Sequence, residues 1–284
     1  MKTMLVRGVP CRVGTIIQPS PEALAALAQR GQFHELFGDS LPTPPTSLDL
    51  VTPCAAAIAT MLGNGPDPTL PPGVGPVGDC VIAEDLHLAA MRATLAGAPW
   101  QPTTAQAIAL YTAVTGFNPA DQANTDNGTD PLALVRYRET GAAYPDGSTL
   151  LMAVNVDATS KVNVQRAMWL ADGVFQWASL PDGVESEEDN GDVWDACGDP
   201  NPSNGHGFGA GSYDDGAAGL VEWGMVKPIR ASYPFLATYC KPSAGGGMIA
   251  FLGSNAFARI SGLCPAGFDL SALEANLAKA GVAL

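Results

Sequence analysis

The sequence predicts an α+β fold, a helical half packed against an antiparallel sheet half, and three observations predict it. Breaker-free helical stretches crowd residues 80–140 and β-prone runs follow from residue 150, so helices come first and strands later, unlike the strict alternation of a doubly wound protein. Gly (32) and Pro (24) together make up almost a fifth of the 284 residues, which calls for long loops and tight turns between the regular elements. Hydrophobic residues make up 46% and charged residues only 15%. That balance excludes intrinsic disorder and a coiled coil and leaves apolar chain for a large core.

Taken in order, residues 4–17 (MLVRGVPCRVGTII) are β-prone. Ser20 as N-cap, Pro21 at the first helical position, Glu22 in the first turn and Gly31 past the end then frame a short helix. The segment 39–53 is proline-rich, has no helical period and reads as an extended linker. It sets a boundary near residue 40, with residues 1–40 as a strand-helix extension and residues 41–284 as the main domain. After the Gly/Pro-rich stretch 63–78, CVIAEDLHLAAMRATLAG runs without a breaker and places Ile82, Leu86, Ala89, Ala90 and Ala93 on one face. A helix therefore starts at Cys80, with Asp79 as its expected N-cap. Thr103 and Gln106 form a capping box for a second helix closed by Gly116, and Asp130 with Pro131 opens a third that Gly141 ends. The Asp- and Asn-rich run 121–130 is not a calcium loop, because Gly128 as its central glycine would put Ala123 at the first ligand position. Residues 150–156 and 174–180 read as strands, 161–171 as a helix and 181–204 as loop. A glycine-flanked segment of strand-like character then runs from His206 to Tyr213.

Charge and composition narrow the function classes. A net charge of -14 and a pI near 4.4 repel phosphate backbones and anionic lipid heads, so neither nucleic acid nor a membrane is the expected partner. The longest strongly apolar run, 54–62, is far too short for a membrane span, and residues 1–19 alternate rather than form a signal-peptide core. The six cysteines show no C-x-x-C spacing, so no metal and no cofactor is expected. No Lys or Arg occurs between Arg166 and Lys227. The acidic stretch from Asp182 to Asp199 is read as a solvated face or, functionally, as a guide for basic peptides or partners.

Three histidines make the search for a base short. His34 sits in a polar stretch with no acid or nucleophile at useful spacing and reads as a surface residue. His87 shares a helical face with Cys80 but lies ~10 Å along the axis, too far to serve that thiol directly. His206 stands between Gly205 and Gly207, whose lack of side chains lets another group approach the imidazole. A thiol at a helix N-terminus meets the positive end of the macrodipole, which favours the reactive thiolate, and of the six cysteines Cys80 has that placement. Cys80 and His206 form the candidate nucleophile and base.

Gly78-Asp79-Cys80, Asp126-Asn127-Gly128-Thr129-Asp130, and Gly205-His206-Gly207 through Tyr213 to Glu222-Trp223-Gly224 fall in the order of papain-like cysteine peptidases, which the chain resembles. From Leu41 to Leu284 it is similar to papain-fold proteins encoded in phages and prophages, through LPTPPTSLDL, MLGN, GDC, TDNGTDPLALVRYRETG, VWD, EWG, TYC and GFDLSALEANL. The resemblance implies a papain-like domain in which Cys80 attacks an amide carbonyl and His206 serves as base. Asn127 and Gly128 would line the substrate cleft by main-chain pairing, and no cofactor would be needed. The substrate would be a peptide or protein, and the setting a phage virion or the cytoplasm of a bacterial host. Two positions depart from the family pattern. Val221 stands where the orienting Asn is expected, and Glu222, one residue on, is the substitute. No Gln precedes the cysteine to donate to an oxyanion, and Asn64 lies at the far end of that stretch. Two other readings stay open: a non-enzymatic structural or decoration protein of a phage particle, in contact with other particle proteins, and a peptidoglycan amidase or endopeptidase.

Overall fold

The computed structural model describes residues 2–13, 16–29, 43–190, 193–195, 198–224 and 229–255, with isolated positions at 35, 271, 275 and 278. His34, Cys197, Cys264 and most of the C-terminal GFDLSALEANL stretch lie outside the described residues.

The fold is α+β. The β-prone N-terminus forms a hairpin of β1 (Lys2–Val6) and β2 (Val9–Val13). Its tight turn uses positive φ at both Arg7 and Gly8, the backbone twist that two-residue hairpin loops favour. Helix α1 (Pro21–Ala28) starts as its cap sequence dictates, with the Ser20 hydroxyl accepting from Ala23 N–H. After a two-residue strand β3 (Leu48–Asp49) come the long helix α2 (Cys80–Leu95), α3 (Thr104–Thr115) and α4 (Pro131–Glu139). The α3 capping box at Thr103 and Gln106 is formed, and Gly116 closes the helix in the left-handed region.

Strands β4 (Leu150–Asn155), β5 (Val174–Ser179), β6 (Gly205–Tyr213), β7 (Ala217–Val221), β8 (Ile229–Ser232) and β9 (Gly247–Gly253) form one antiparallel sheet in the order β4-β9-β5-β6-β7-β8, and β3 adds to β6. Three further helices, α5 (Lys161–Leu170), α6 (Gly183–Asn190) and α7 (Tyr233–Tyr239), lie between the strands in sequence. The simple order of helices then strands is therefore corrected. Residues 181–204, read as loop, contain α6, whose Glu-rich turns follow good helix propensity.

The sheet is covered on both faces. Val81, Ile82 and Leu86 of α2, with Ile108 and Tyr111 of α3 and Leu134 of α4, pack on Phe175, Trp177, Ile249 and Phe251. On the opposite face Val164 and Met168 of α5 and Phe235 and Leu236 of α7 pack on Phe208, Leu220, Met248 and Ala250. Alternate residues of each strand thus enter different cores. The hairpin contributes Met4, Val6, Cys11 and Val13 to the second core, so the first strands are structurally continuous with the main domain.

Helix α2 is buried on every side from Cys80 to Ala93, including Glu84, Asp85, His87 and Arg92. Asp85 is held by Arg138 Nε and Nη2 at 2.9 and 2.6 Å and by the Tyr144 hydroxyl at 2.7 Å, which ties α2 to α4 and the chain beyond it. The close approach of α2 to the sheet comes from β6. Gly207, Gly209 and Gly211 face the helix at alternate positions. A Cβ on Gly207 would stand 3.0–3.3 Å from Val81, and one on Gly209 or Gly211 would overlap Glu84 or Met91.

Candidate active site

Cys80 is the first residue of α2 and is 3% exposed. Its position puts the sulfur at the positive end of a sixteen-residue helix. The preceding Asp79 does not cap that helix, which corrects the sequence expectation. Its backbone (φ -101, ψ 20) is not in the extended conformation an N-cap adopts, and its carboxyl makes no cap bond. Instead the side chain is fully buried beside Gly63, with both oxygens unpartnered. Burial, reinforced by the nearby Asp126, pushes its pKa well above the usual carboxylate range.

His206 is the second residue of β6, on the face opposite the glycines. The alternation that points Gly207 and Gly209 at α2 points His206 and Phe208 at the other core. The ring is 1% exposed and stacks on Trp223, with centroids 4.4 Å apart and planes 19° from parallel. Its Nε2 lies 3.1 Å from Glu222 Oε2, a carboxyl that is itself 2% exposed. The β6–β7 register explains why Glu222 and not Val221 reaches the imidazole. Gly209 pairs with Val221, so Val221 shares the glycine face, and the next residue shares the face of Phe208 and His206. Trp223 and Gly224 then adopt left-handed φ of 47° and 67°, which turns the chain so that the indole lies over the ring.

The sulfur and imidazole approach the same backbone from opposite sides. The β6–β7 ladder ends at the Gly209–Val221 pair. Beyond that end, the Gly207 N–H donates to Cys80 Sγ at 3.3 Å. The sulfur thus lies against the residue after His206, within about 6 Å of the His206 Cα by standard backbone dimensions. The imidazole makes no hydrogen bond to it, and Nδ1 is buried without a partner. Burial pushes the imidazole pKa down to about 3. The adjacent carboxyl pulls the other way, but with ring and carboxyl both withdrawn from water the cost of charging the ring dominates, and the imidazole is neutral. An ionised Glu222 accepts from Nε2–H, the tautomer in which Nδ1 carries the lone pair.

The remaining sequence candidates fall around this core. Asn64 is 2% exposed; its Oδ1 accepts from Trp223 Nε1 at 2.9 Å and its Nδ2 donates to Val77 O at 3.2 Å. Its amide thus braces the indole over His206. Asn127 is exposed and donates to Asn124 O, while the buried Gly128 N–H donates to the Tyr111 hydroxyl. Pairing of this loop's main chain with another segment is made by the buried Thr129, whose O accepts from Ile17 N–H at 3.1 Å. His87 bonds Thr60 O at 2.8 Å and faces Glu84 at 3.6 Å, inside α2's packing and away from the thiol. Asp126 accepts from Gly78 N–H and the Tyr111 hydroxyl and pairs with Arg12, which fixes the turn delivering Cys80.

Sequence reasoning missed Thr129, Arg12 and the indole of Trp223. The signal for Trp223 was present as Trp-Gly after a short strand, a position suited to a sharp turn. The described residues hold no cluster of His, Cys, Asp and Glu suited to a metal ion. No helix among the described residues is long and apolar enough to cross a membrane. Neither a known family nor a curated protein matches the chain.

Proposed function

We propose that the chain is a papain-like cysteine peptidase that cleaves amide bonds with Cys80 as nucleophile, His206 as base and Glu222 as the residue that orients the ring. The observation that carries this reading is the Glu222–His206 contact. A buried carboxyl 3.1 Å from Nε2 leaves Nδ1 bare beside the backbone on which the Cys80 sulfur rests. The reaction requires Nδ1 and the sulfur, which lie on the two sides of β6, to come into contact. Nδ1 takes the thiol proton, the sulfur adds to the carbonyl carbon, and the imidazolium returns the proton to the leaving amine, giving an acyl-enzyme that water hydrolyses. Glu222 holds the tautomer and stabilises the charged ring. The Cys80 backbone N–H, among the first-turn amides that no intrahelical carbonyl takes, is the donor best placed for the oxyanion.

Because the resting imidazole is neutral, proton transfer accompanies attack and no thiolate–imidazolium pair is stored. The test is digestion of a peptide library by wild-type and Cys80→Ala protein. Cleavage lost in the variant supports the reading, and absence of cleavage by both supports the second one, a structural or decoration protein of a phage particle. That second reading is favoured by one observation, the lack of a hydrogen bond between the two reactive groups, both almost fully buried. Peptidoglycan cleavage is a third outcome, read out with purified cell wall. The sequence resemblance also favours a phage virion or host cytoplasm as the setting.

A further inference from the structure

On the side of β6 that carries the Cys80 sulfur the strand offers glycines, and the titratable groups laid on them come from α2. Glu84 is one helical turn on from Cys80, so the two side chains project to the same side. The strand fixes their spacing from below. The sulfur accepts from the Gly207 N–H, and Glu84 Oε1 fills the place that a Cβ on Gly209 would need. Helix and strand spacing together put the carboxyl about 6–9 Å from the sulfur. Glu84 is 2% exposed and its Oε1 makes no hydrogen bond, while Oε2 faces His87 Nδ1 at 3.6 Å. His87 Nε2 lies 2.8 Å from Thr60 O, an atom that only accepts, so Nε2 carries a proton and Nδ1 is turned to the carboxyl. A bare lone pair facing a carboxylate in a buried site is repulsive. One proton is therefore held between Oε2 and Nδ1, and the pair is neutral as a whole. Burial lifts the Glu84 pKa to about 7, so that proton is lost near neutrality and leaves a negative charge in the site. Asp85, the adjacent acid on α2, adds to the lift but is turned to Arg138 and Tyr144. From β7, Val221 faces the same side and carries no charge. The buried Asp172, next to the Gly173 that packs on Leu88, acts on Cys54.

We propose that the Glu84–His87 pair sets how the reactivity of Cys80 depends on pH. With its proton the pair is neutral and leaves the thiolate to the favourable field of the helix end. Without it, a negative charge one turn away holds the proton on the sulfur. Glu84 acts through the thiol and is a positioning residue rather than a catalytic one. This rests on the peptidase reading for what the thiol attacks, although thiol chemistry tests it without any hydrolysis. A unit charge about 6–9 Å away, at an effective dielectric constant of about 20, raises the pKa of a neighbouring acid by about one to two. The rise of thiolate with pH is thus blunted above neutrality, and Cys80 keeps its advantage over an ordinary thiol on the weakly acidic side.

The test is the rate of Cys80 alkylation by iodoacetamide, read by peptide mapping between pH 5.5 and 8.5 in full-length protein whose thermal unfolding remains cooperative. Glu84→Gln keeps the shape and removes the charge, and Glu84→Leu, also uncharged, serves if the amide does not fold. The rate of the variant divided by that of wild type should climb from about one at pH 5.5 to at least about fivefold at pH 8.5. Asp79 and His206 also lie near the sulfur, but they are the same in all three proteins, so a ratio that changes with pH belongs to Glu84. A ratio that stays constant across the range would overturn the proposal, whether at one or at another value, since a substitution that only alters access to the sulfur changes the rate equally at every pH. A climbing ratio in a protein that hydrolyses no peptide upholds the pair and counts against the peptidase reading. Hydrolysis with a constant ratio does the reverse, so the two fail separately.

Discussion

In the proposed reaction Glu222 is the residue on which the chemistry turns, because an ionised carboxyl there would put the proton on Nε2 and leave Nδ1 bare. Glu222→Gln keeps the shape but can offer either an amide donor or an acceptor to Nε2, and it no longer stabilises the imidazolium. Turnover should fall roughly 10²-fold with KM little changed. A Glu222→Ala variant as active as wild type would remove the residue from the mechanism. The neutral resting ring makes a second prediction. Folded-state burial lowers the His206 pKa from 6.5 to about 3. Its contribution to stability is therefore complete above pH 6.5 and is lost as pH falls through that window, since the unfolded chain takes up a proton the native ring refuses. His206→Phe should flatten the acid side of the stability profile between pH 6.5 and 4, measured by urea unfolding. Glu84 works in the opposite sense. Burial lifts its pKa from 4.5 to about 7, so its contribution is full below pH 4.5 and is lost as pH rises through 7. Glu84→Gln should gain stability over wild type at pH 8 and gain less at pH 5.

At the level of elements, α2 carries Cys80, and its position depends on two contacts of different kinds. One is ionic: Arg138 donates from Nε and Nη2 to Oδ2 of the buried Asp85. Removing one partner strands the other charge, so Arg138→Ala should cost about 3–5 kcal/mol by chemical denaturation. The other is steric. A Cβ at Gly207 would stand 3.2 Å from the Val81 Cα and 3.3 Å from its nitrogen, neither of which can rotate away. Gly207→Ala should therefore displace the start of α2, destabilise by about 1–3 kcal/mol, and reduce Cys80 reactivity more than Gly211→Ala, whose obstacle is a flexible methionine.

The elements themselves were largely legible in the sequence. The caps at Ser20, Thr103 and Asp130 and the glycine stop at Gly116 all act locally, and local signals survive folding. Asp79 shows the limit, since capping requires an extended backbone and the turn pinned by Asp126 denies it. The alternate glycines of β6 were visible, but their partner could not be known until α2 was laid on the sheet. Cys80 and His206 were both nameable. That they approach β6 from opposite faces follows from strand register, which no spacing of 126 residues encodes. Helix α6 was hidden by the loop-like composition around it.

For the molecule as a whole, the acidic stretch expected to guide basic partners is partly engaged within the chain. Lys2 pairs with Asp182, Leu5 N–H donates to Glu185, and Ser232 donates to Asp195. With a net charge of -14 the long-range field remains. Lys- and Arg-rich peptides should be captured faster than acidic ones at low salt, and the ratio should fall toward one as the ionic strength rises past 0.15 M.

The order of strands in the sheet also governs when this protein can exist. β9, the last strand among the described residues, sits between β4 and β5, one place in from the β4 edge, and both of its neighbours are synthesised long before it. A ribosome that has released residues 2–246 has therefore made both Cys80 and His206 but leaves two strands with open edges where β9 belongs. Contacts of such long sequence separation form slowly. Completion of the sheet is thus expected to be a late step in folding, with exposed edges open to mispairing in the interval. Cys80 and β6 are both made before β9, so a half-made chain carries the thiol while β4 is still unjoined to β5.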